Sequence, residues 1–126
     1  MVDLKAQYGK IGPEIDKAIK SVLESTAFIK GPDVKLFEEE LQEYMGVKHV
    51  VSCANGTEAL YLAMMVLGLK PGDEVITTNF TFIATVEVVA LLGLKPVIVD
   101  PEPGTFNISV EAVKKAITQR TKVIVP

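Results

Sequence analysis

Residues 50–63 read VVSCANGTEALYLA, and this stretch decides the fold. Two valines lead into a run of small and polar residues, and an apolar helical pattern follows at once. This order predicts a strand, a tight loop and the N-terminus of a helix. Because the first turn of a helix has unpaired N–H groups and the positive end of the helix dipole, it suits an anion such as phosphate.

The loop in this stretch has two interpretations, a phosphate cradle or a plain helix cap. Gly56 would let a ligand approach the backbone, and the hydroxyl of Thr57 would add a donor. Asn55 followed three residues later by Glu58 resembles a capping box, which needs no ligand. Taken alone these residues favour the cap, and the rest of the chain bears on the choice.

The composition indicates a soluble globular protein of about one domain, with 126 residues, 48% of them hydrophobic and 23% charged. A net charge of −3 gives no basic surface for nucleic acid. The longest apolar runs, such as residues 88–94, are too short to span a membrane, and the N-terminus has no apolar signal region. A single cysteine excludes an intramolecular disulfide and fits a reducing compartment. We therefore expect a cytoplasmic protein that binds neither nucleic acid nor membrane.

The order of elements predicts an α/β chain. We expect an extended arm over residues 1–11, a helix opened by Gly12 and Pro13, and a second helix from Asp33 to Gly46. The elements expected after these are strand 48–53, helix 56–67, strand 74–77, helix 81–92, strand 96–100, a helix capped by Ser109 that ends near Ile117, and a strand from Thr121. This alternation favours a mainly parallel sheet with helices on both faces.

A second informative stretch is TTNFTFIAT, residues 77–85, which contains the end of the next strand. Its loop should emerge at the same edge of the sheet as Gly56 and Thr57, and open α/β sheets bind ligands at that carboxyl edge. Phe80 or Phe82 could be a core residue. Two aromatics beside a phosphate cradle instead favour one ring that stacks on a flat cofactor.

Other common chemistries have no matching motif in the sequence. The glycine patterns of nucleotide-triphosphate and dinucleotide sites are absent. With His49 as the only histidine and Cys53 as the only cysteine, metal-ligand spacing is absent as well. We interpret His49 as structural or surface, and Cys53 as a small filler rather than a nucleophile, because no second histidine could act as its base.

Three stretches together resemble the sugar aminotransferases of the DegT/DnrJ/EryC1/StrS family. They read SCANGTEAL at 52–60, PGDEVIT at 71–77 and FTFIAT at 80–85, with shorter matches VDL at 2–4, IKGP at 29–32 and ITQRTK at 117–122. These enzymes depend on pyridoxal phosphate (PLP) and have the aspartate aminotransferase fold, fold type I. The similarity is greatest to members that aminate the 3-keto group of a UDP-linked N-acetyl-hexuronic acid.

The resemblance implies which residues would bind the cofactor. Gly56, Thr57 and the N–H of Glu58 would hold the PLP phosphate, with the Glu58 carboxylate pointing outward. Phe82 matches the aromatic residue that stacks on the pyridine ring. The chain departs from the family at Asn79, where relatives usually have proline, and this changes the stiffness of the loop.

The resemblance also implies the substrate side and the limits of the site. Lys5, Phe28 and Lys30 lie in segments that reach the sugar nucleotide. The Schiff-base lysine, the aspartate that pairs with the pyridine nitrogen and a phosphate-binding serine would all lie beyond Pro126, so no catalytic residue is expected here. Asp100 matches a different aspartate. The implied partners are a nucleotide-linked keto-sugar, glutamate as amino donor, and a second copy in a homodimer.

Residues 1–31 would then form an N-terminal arm and first helix, and residues 32–126 the first part of the PLP-binding large domain. The last strand stops where its loop should begin, so we expect a fragment of a longer enzyme of cell-surface polysaccharide or amino-sugar biosynthesis. One alternative is a dehydratase, sensor or other non-aminotransferase relative on the same fold. The other is a stand-alone α/β module that binds phosphate.

Overall fold

A computed structural model describes residues 2–126 of the chain. Its elements are α1 (Leu4–Ser25), α2 (Pro32–Met45), α3 (Gly56–Val66), β1 (Glu74–Thr78), α4 (Ala84–Leu91), β2 (Lys95–Val99), α5 (Val110–Ala116) and β3 (Thr121–Val125). The chain divides between Ser52 and Cys53 into two compact units. We call them the helical unit, up to Ser52, and the sheet unit, from Cys53 to Pro126.

Helix α1 begins at Leu4, because the carboxylate of Asp3 accepts the N–H of Ala6 at 2.9 Å and caps the first turn. The extended arm predicted for residues 1–11 is therefore wrong from Leu4 onward, and residue 1 lies outside the described residues. The helix also continues through Pro13, which was expected near its start. A signal for the longer helix is present in the sequence as apolar residues at helical spacing, namely Leu4, Tyr8, Ile11 and Ile15.

The helical unit keeps most of its apolar side chains exposed. Among residues 2–52 only Gly12 is buried, and Ile19 and Leu23 of α1 are 54% and 59% exposed. Helix α2 ends as predicted at Gly46, whose positive φ of 64° suits a glycine. In residues 2–126 no helix combines the length and apolar character that a membrane crossing needs.

Residues 48–53 do not form the predicted strand. A strand exists only where its backbone groups pair with a neighbour, and no described strand pairs with this segment. One of its backbone groups is bound by a side chain instead, since the Ser52 N–H donates to the Glu38 carboxylate at 2.8 Å. Apolar residues before a turn therefore indicated a strand without indicating a pairing partner.

The sheet is parallel throughout, as predicted, with the strand order β2-β1-β3. Strand β1 is central, and all five of its residues are buried. On one face Val75 lies in a core cluster with Met64 of α3 and Val88 of α4. On the other face Ile76 lies in a cluster with Val113 of α5. Helices therefore cover both faces, as the continuous apolar runs predicted.

The amino edge of the sheet is held by one buried carboxylate, Glu74, whose side chain is 2% exposed. It accepts hydrogen bonds from the Thr118 hydroxyl at 2.5 Å, Lys95 Nζ at 3.2 Å and Arg120 Nη2 at 3.0 Å. These partners, the Thr118 hydroxyl foremost, lower the pKa of Glu74 from 4.5 to about 2. Glu74 thus links the start of β1 to the start of β2 and to the turn before β3.

Candidate functional site

The start of α3 is capped by its own side chains. Asn55 is the N-cap, and its Oδ1 accepts the N–H of Glu58 at 2.9 Å. The Glu58 carboxylate reaches back and accepts the N–H of Ala54 at 3.2 Å. Glu58 is exposed, and whether its carboxylate faces away from a bound phosphate stays a prediction. The capping interpretation is confirmed, and it occupies the Glu58 N–H.

The same helix start still has room and donors for an anion. The N–H groups of Gly56 and Thr57 form no hydrogen bond within residues 2–126. Gly56 does not have a positive φ, and a Cβ added there would meet no atom within 4 Å. Neither the backbone nor a neighbouring protein group therefore requires glycine, and the open space beside it fits a bound phosphate.

The loop after β1 is joined to the loop after β2 at the carboxyl edge of the sheet. Asn79 donates its backbone N–H to the Val99 carbonyl at 3.0 Å and its side-chain Nδ2 to Asp100 Oδ1 at 2.6 Å. The rings of Phe80 and Phe106 pack with their centroids 4.7 Å apart and their planes tilted by 32°. Both contacts join the same two loops, and the contact between Asn79 and Asp100 lies directly at the strand ends.

Neither aromatic residue of this loop is a core residue, so the core interpretation is wrong for both. Phe80 is 62% exposed and Phe82 is 75% exposed. The loop itself explains this, because α4 begins only at Ala84 and not at residue 81 as expected. An exposed Phe82 ring is accessible to a flat ligand, and its stacking role stays a prediction.

The structure places the predicted substrate-side residues at different points of the helical unit. Lys5 lies in the first turn of α1. Phe28 lines an apolar groove of about 380 Å³ beside Ile19. Lys30, at a positive φ of 49°, lines a separate cavity of about 300 Å³ that includes Glu38. Lys5 lines neither space, and the substrate role of all three stays a prediction.

Cys53, interpreted from the sequence as a small filler, is exposed rather than buried. Its Sγ lies 3.4 Å from the Asn55 carbonyl oxygen, so it contacts the loop at the start of α3.

Sequence reasoning missed the contact between Asn79 and Asp100. The two residues are 21 positions apart, and nothing local relates them. The register of the sheet brings them together, because Thr78 pairs with Val99. Asn79 directly follows Thr78, and Asp100 directly follows Val99. The available signal was a polar residue directly after each of two neighbouring parallel strands.

Comparison with solved structures identifies the class of fold. The structure of a DegT DnrJ EryC1 StrS aminotransferase from Brucella abortus is 44% identical with a TM-score of 0.93, covering 99% of this chain and 35% of that chain. NtdA from Bacillus subtilis, with bound cofactor PMP, is 36% identical with a TM-score of 0.86, covering 91% of this chain and 26% of that chain. The fold is that of the N-terminal large-domain part of these aminotransferases. The sequence model of the DegT/DnrJ/EryC1/StrS aminotransferase family matches residues 9–126, and the chain belongs to this family.

Curated relatives agree with the resemblance drawn from the motifs. The chain is 50% identical over 125 residues to UDP-2-acetamido-2-deoxy-3-oxo-D-glucuronate aminotransferase from Pseudomonas aeruginosa, covering 99% of this chain and 35% of the relative. It is 45% identical over 126 residues to a pleiotropic regulatory protein from Geobacillus stearothermophilus, covering 100% of this chain and 34% of the relative. The similarity to enzymes of UDP-linked 3-oxo sugars is thereby confirmed. The chain spans about a third of the length of these relatives.

Proposed function

We propose that the chain supplies the phosphate-binding and ring-stacking part of a PLP-dependent aminotransferase that acts on a nucleotide-linked keto-sugar. The observation that carries this proposal is the start of α3, where two unpaired N–H groups lie beside the open space at Gly56. Membership of the aminotransferase family supports it. A relative at 50% identity, named for a UDP-linked 3-oxo sugar, supports the substrate class.

In this proposal the start of α3 holds the cofactor phosphate. The N–H groups of Gly56 and Thr57 and the Thr57 hydroxyl donate to phosphate oxygens, and the positive end of the helix dipole adds to the attraction. The Glu58 N–H becomes a further donor when Asn55 releases it, because the two groups are hydrogen-bonded at 2.9 Å in this structure.

Phe82 covers one face of the cofactor ring and keeps water from it. When bound, PLP supplies the electron sink that lets an amino group pass between two substrates. The family's lysine that carries the cofactor corresponds to no motif in this chain, so these residues bind and orient without transferring protons.

The substrate assignment follows the same reasoning. We propose a UDP-linked 3-oxo hexuronate as acceptor and glutamate as donor, with the segments of Lys5, Phe28 and Lys30 on the sugar-nucleotide side. Residues 1–31 would contribute α1, without an extended arm from Leu4 onward, and residues 32–126 the start of the PLP-binding domain. A cytoplasmic homodimer that works in amino-sugar or cell-surface polysaccharide biosynthesis completes the proposal.

The test uses the whole protein that the gene encodes. We expect the purified protein to retain PLP and to convert glutamate and the UDP-linked 3-keto sugar into 2-oxoglutarate and the amino sugar in equal amounts, as measured by mass spectrometry. Ser21→Ala, at an exposed position of α1, serves as a control that should keep activity. Retained PLP without any transfer of nitrogen from glutamate would overturn the aminotransferase assignment.

A second candidate is a regulatory role on the same fold, and the name of the relative at 45% identity favours it. Such a protein would bind the nucleotide sugar and leave glutamate unconsumed. A regulatory protein would give no product, whereas a dehydratase relative would give a product without added nitrogen. The same mass-spectrometric experiment therefore separates the three activities.

A further inference from the structure

We infer that Asn79 and Asp100 are positioning residues that hold Phe82 in place for the cofactor ring, and this inference rests on the proposed function. Asn79 Nδ2 donates to Asp100 Oδ1 at 2.6 Å, a short hydrogen bond to a carboxylate. Hydrogen bonds of this kind are charge-assisted and are stronger than those between neutral groups.

The register of the sheet produces this contact. Strands β1 and β2 pair Thr78 with Val99 at their carboxyl ends, so the next residues leave the sheet side by side. The Asn79 N–H extends the backbone pairing by one step, donating to the Val99 carbonyl at 3.0 Å. Both the backbone and the side chain of Asn79 are therefore bound to the end of β2.

A second contact joins the same two loops one residue further on. The Phe80 ring packs on Phe106 at 4.7 Å between centroids. The Phe80 N–H donates to Thr78 Oγ1 at 3.2 Å, which turns the chain back toward the end of β1. The loop after β1 is consequently held at two successive residues before it reaches Phe82.

The other side of Phe82 is held by α4. The Phe82 carbonyl accepts the N–H of Thr85, a residue of α4, at 3.2 Å. The hydroxyls of Thr81 and Thr85 lie 3.5 Å apart. Phe82 thus lies between two fixed points with its ring 75% exposed. A ring whose backbone is already placed loses less conformational freedom when a ligand binds.

This arrangement gives a reason for the departure at residue 79. The proline that the family resemblance implies at this position would stiffen the loop by fixing its own φ. Asn79 stiffens the loop by a different route, with a side-chain hydrogen bond to Asp100. We expect the two solutions to serve the same end, a fixed backbone ahead of Phe82.

The hydrogen bond between Asn79 and Asp100, which we call the clamp, is tested first without cofactor, by backbone hydrogen exchange in the whole protein. Asn79→Ala and Asp100→Ala should each speed exchange of the hydrogen-bonded amides of residues 79 and 80 by about three- to tenfold, the effect of one lost hydrogen bond. Asp100→Asn keeps an oxygen acceptor without the charge and should exchange at a rate between those of the parent and Asp100→Ala. Glu111→Ala, which removes the exposed ion pair with Lys114 at 3.0 Å, is the charge-matched control and should change nothing there. Unchanged exchange in Asp100→Ala overturns the clamp.

The link to Phe82 is tested by PLP titration of the same variants. Asn79→Ala should raise the dissociation constant about three- to tenfold in the parent and leave it unchanged in Phe82→Ala. An equal effect in both backgrounds overturns the positioning role, since the contact would then act elsewhere. A parent that binds no PLP overturns the proposed function and the role toward the cofactor, whereas hydrogen exchange decides the clamp independently.

Discussion

Thr57 has two hydrogen-bond donors at the start of α3, its N–H and its hydroxyl. Thr57→Val removes the hydroxyl and keeps the shape of the side chain. In the whole protein, Thr57→Val should raise the dissociation constant for PLP roughly ten- to hundredfold, because a hydrogen bond to a charged group contributes about 1.5–3 kcal/mol. Equilibrium titration with PLP measures this, with Ser21→Ala in α1 as control. If Thr57→Val binds PLP as tightly as the parent, Thr57 belongs only to the helix cap.

The two phenylalanines of the carboxyl-edge loop should separate into different roles. Phe82→Ala removes the stacking face and should give the larger loss of PLP affinity. Phe80→Ala should mainly lower stability, by about 0.5–1.5 kcal/mol, because the residue is 62% exposed and loses chiefly its contact with Phe106. Thermal unfolding and the PLP absorption spectrum measure the two effects. A shifted spectrum in Phe80→Ala together with an unchanged one in Phe82→Ala would mean that the rings are assigned wrongly.

The residues of the candidate site were predictable where their chemistry is local. Gly56 lies at the first position of α3, where turn and helix signals placed it. The position of the Glu58 carboxylate was not predictable from charge alone, since the nearby N–H of Ala54 binds it. The pair of Asn79 and Asp100 depends on strand register, which is a property of the assembled sheet.

At the scale of elements, prediction succeeded where residues that begin or end helices and strands are present in the sequence. Helix α3, strands β1 and β2, the Ser109 cap of α5 and the start of β3 lie within about one residue of their predicted bounds, since glycines, prolines and β-branched runs mark them. The segments 1–11 and 48–53 failed for different reasons. In the first, apolar residues at helical spacing extend α1 back to Leu4, and in the second no described strand supplies a partner.

The amino edge of the sheet predicts a dependence of stability on pH. The pKa of Glu74 is lowered from 4.5 to about 2 in the folded chain, chiefly by the Thr118 hydroxyl, so the fold favours the ionised carboxylate. Its stabilisation is complete above pH 4.5 and is lost as the pH falls toward 2. Glu74→Gln should therefore be less stable than the parent at neutral pH and should lose less stability across that acid range.

Urea unfolding at several pH values measures the difference between Glu74→Gln and the parent. Glu111→Gln, at an exposed ion pair, is the matched control and should follow the parent. Parallel pH profiles for Glu74→Gln and the parent would contradict the prediction that the ionised Glu74 carboxylate stabilises the fold.

At the scale of the whole molecule, the 126-residue chain by itself should not be an aminotransferase. Under the proposed function it offers a phosphate cradle and a stacking face, and the resemblance implies no cofactor-carrying lysine among its residues. Incubation with PLP, reduction with borohydride and mass-spectrometric mapping should give scattered, substoichiometric labelling without turnover. Stoichiometric labelling of one lysine together with turnover of glutamate and a keto-sugar nucleotide would falsify this view.

The same isolated chain should self-associate. Within residues 2–126, β2 and β3 each pair on one side only, which leaves backbone groups open at both edges. The helical unit adds exposed apolar side chains such as Ile19, Leu23 and Phe37.

The order of motifs along the sequence predicted the family and the layers of the sheet unit. It did not predict the division at Ser52, because that division reflects the density of contacts in three dimensions.

The buried carboxylate of Glu74 also has a kinetic consequence. Its contact with Lys95 closes a loop of 21 residues, and its contact with Arg120 closes one of 46. Because the longer closure costs about 0.6 kcal/mol more chain entropy, β1, α4 and β2 should assemble before β3 docks. Folding kinetics of Val97→Ala and Val123→Ala should then give the larger φ-value at Val97, with the reverse order contradicting it. During synthesis the first two strands would accordingly pair as they leave the ribosome, before the third strand has emerged.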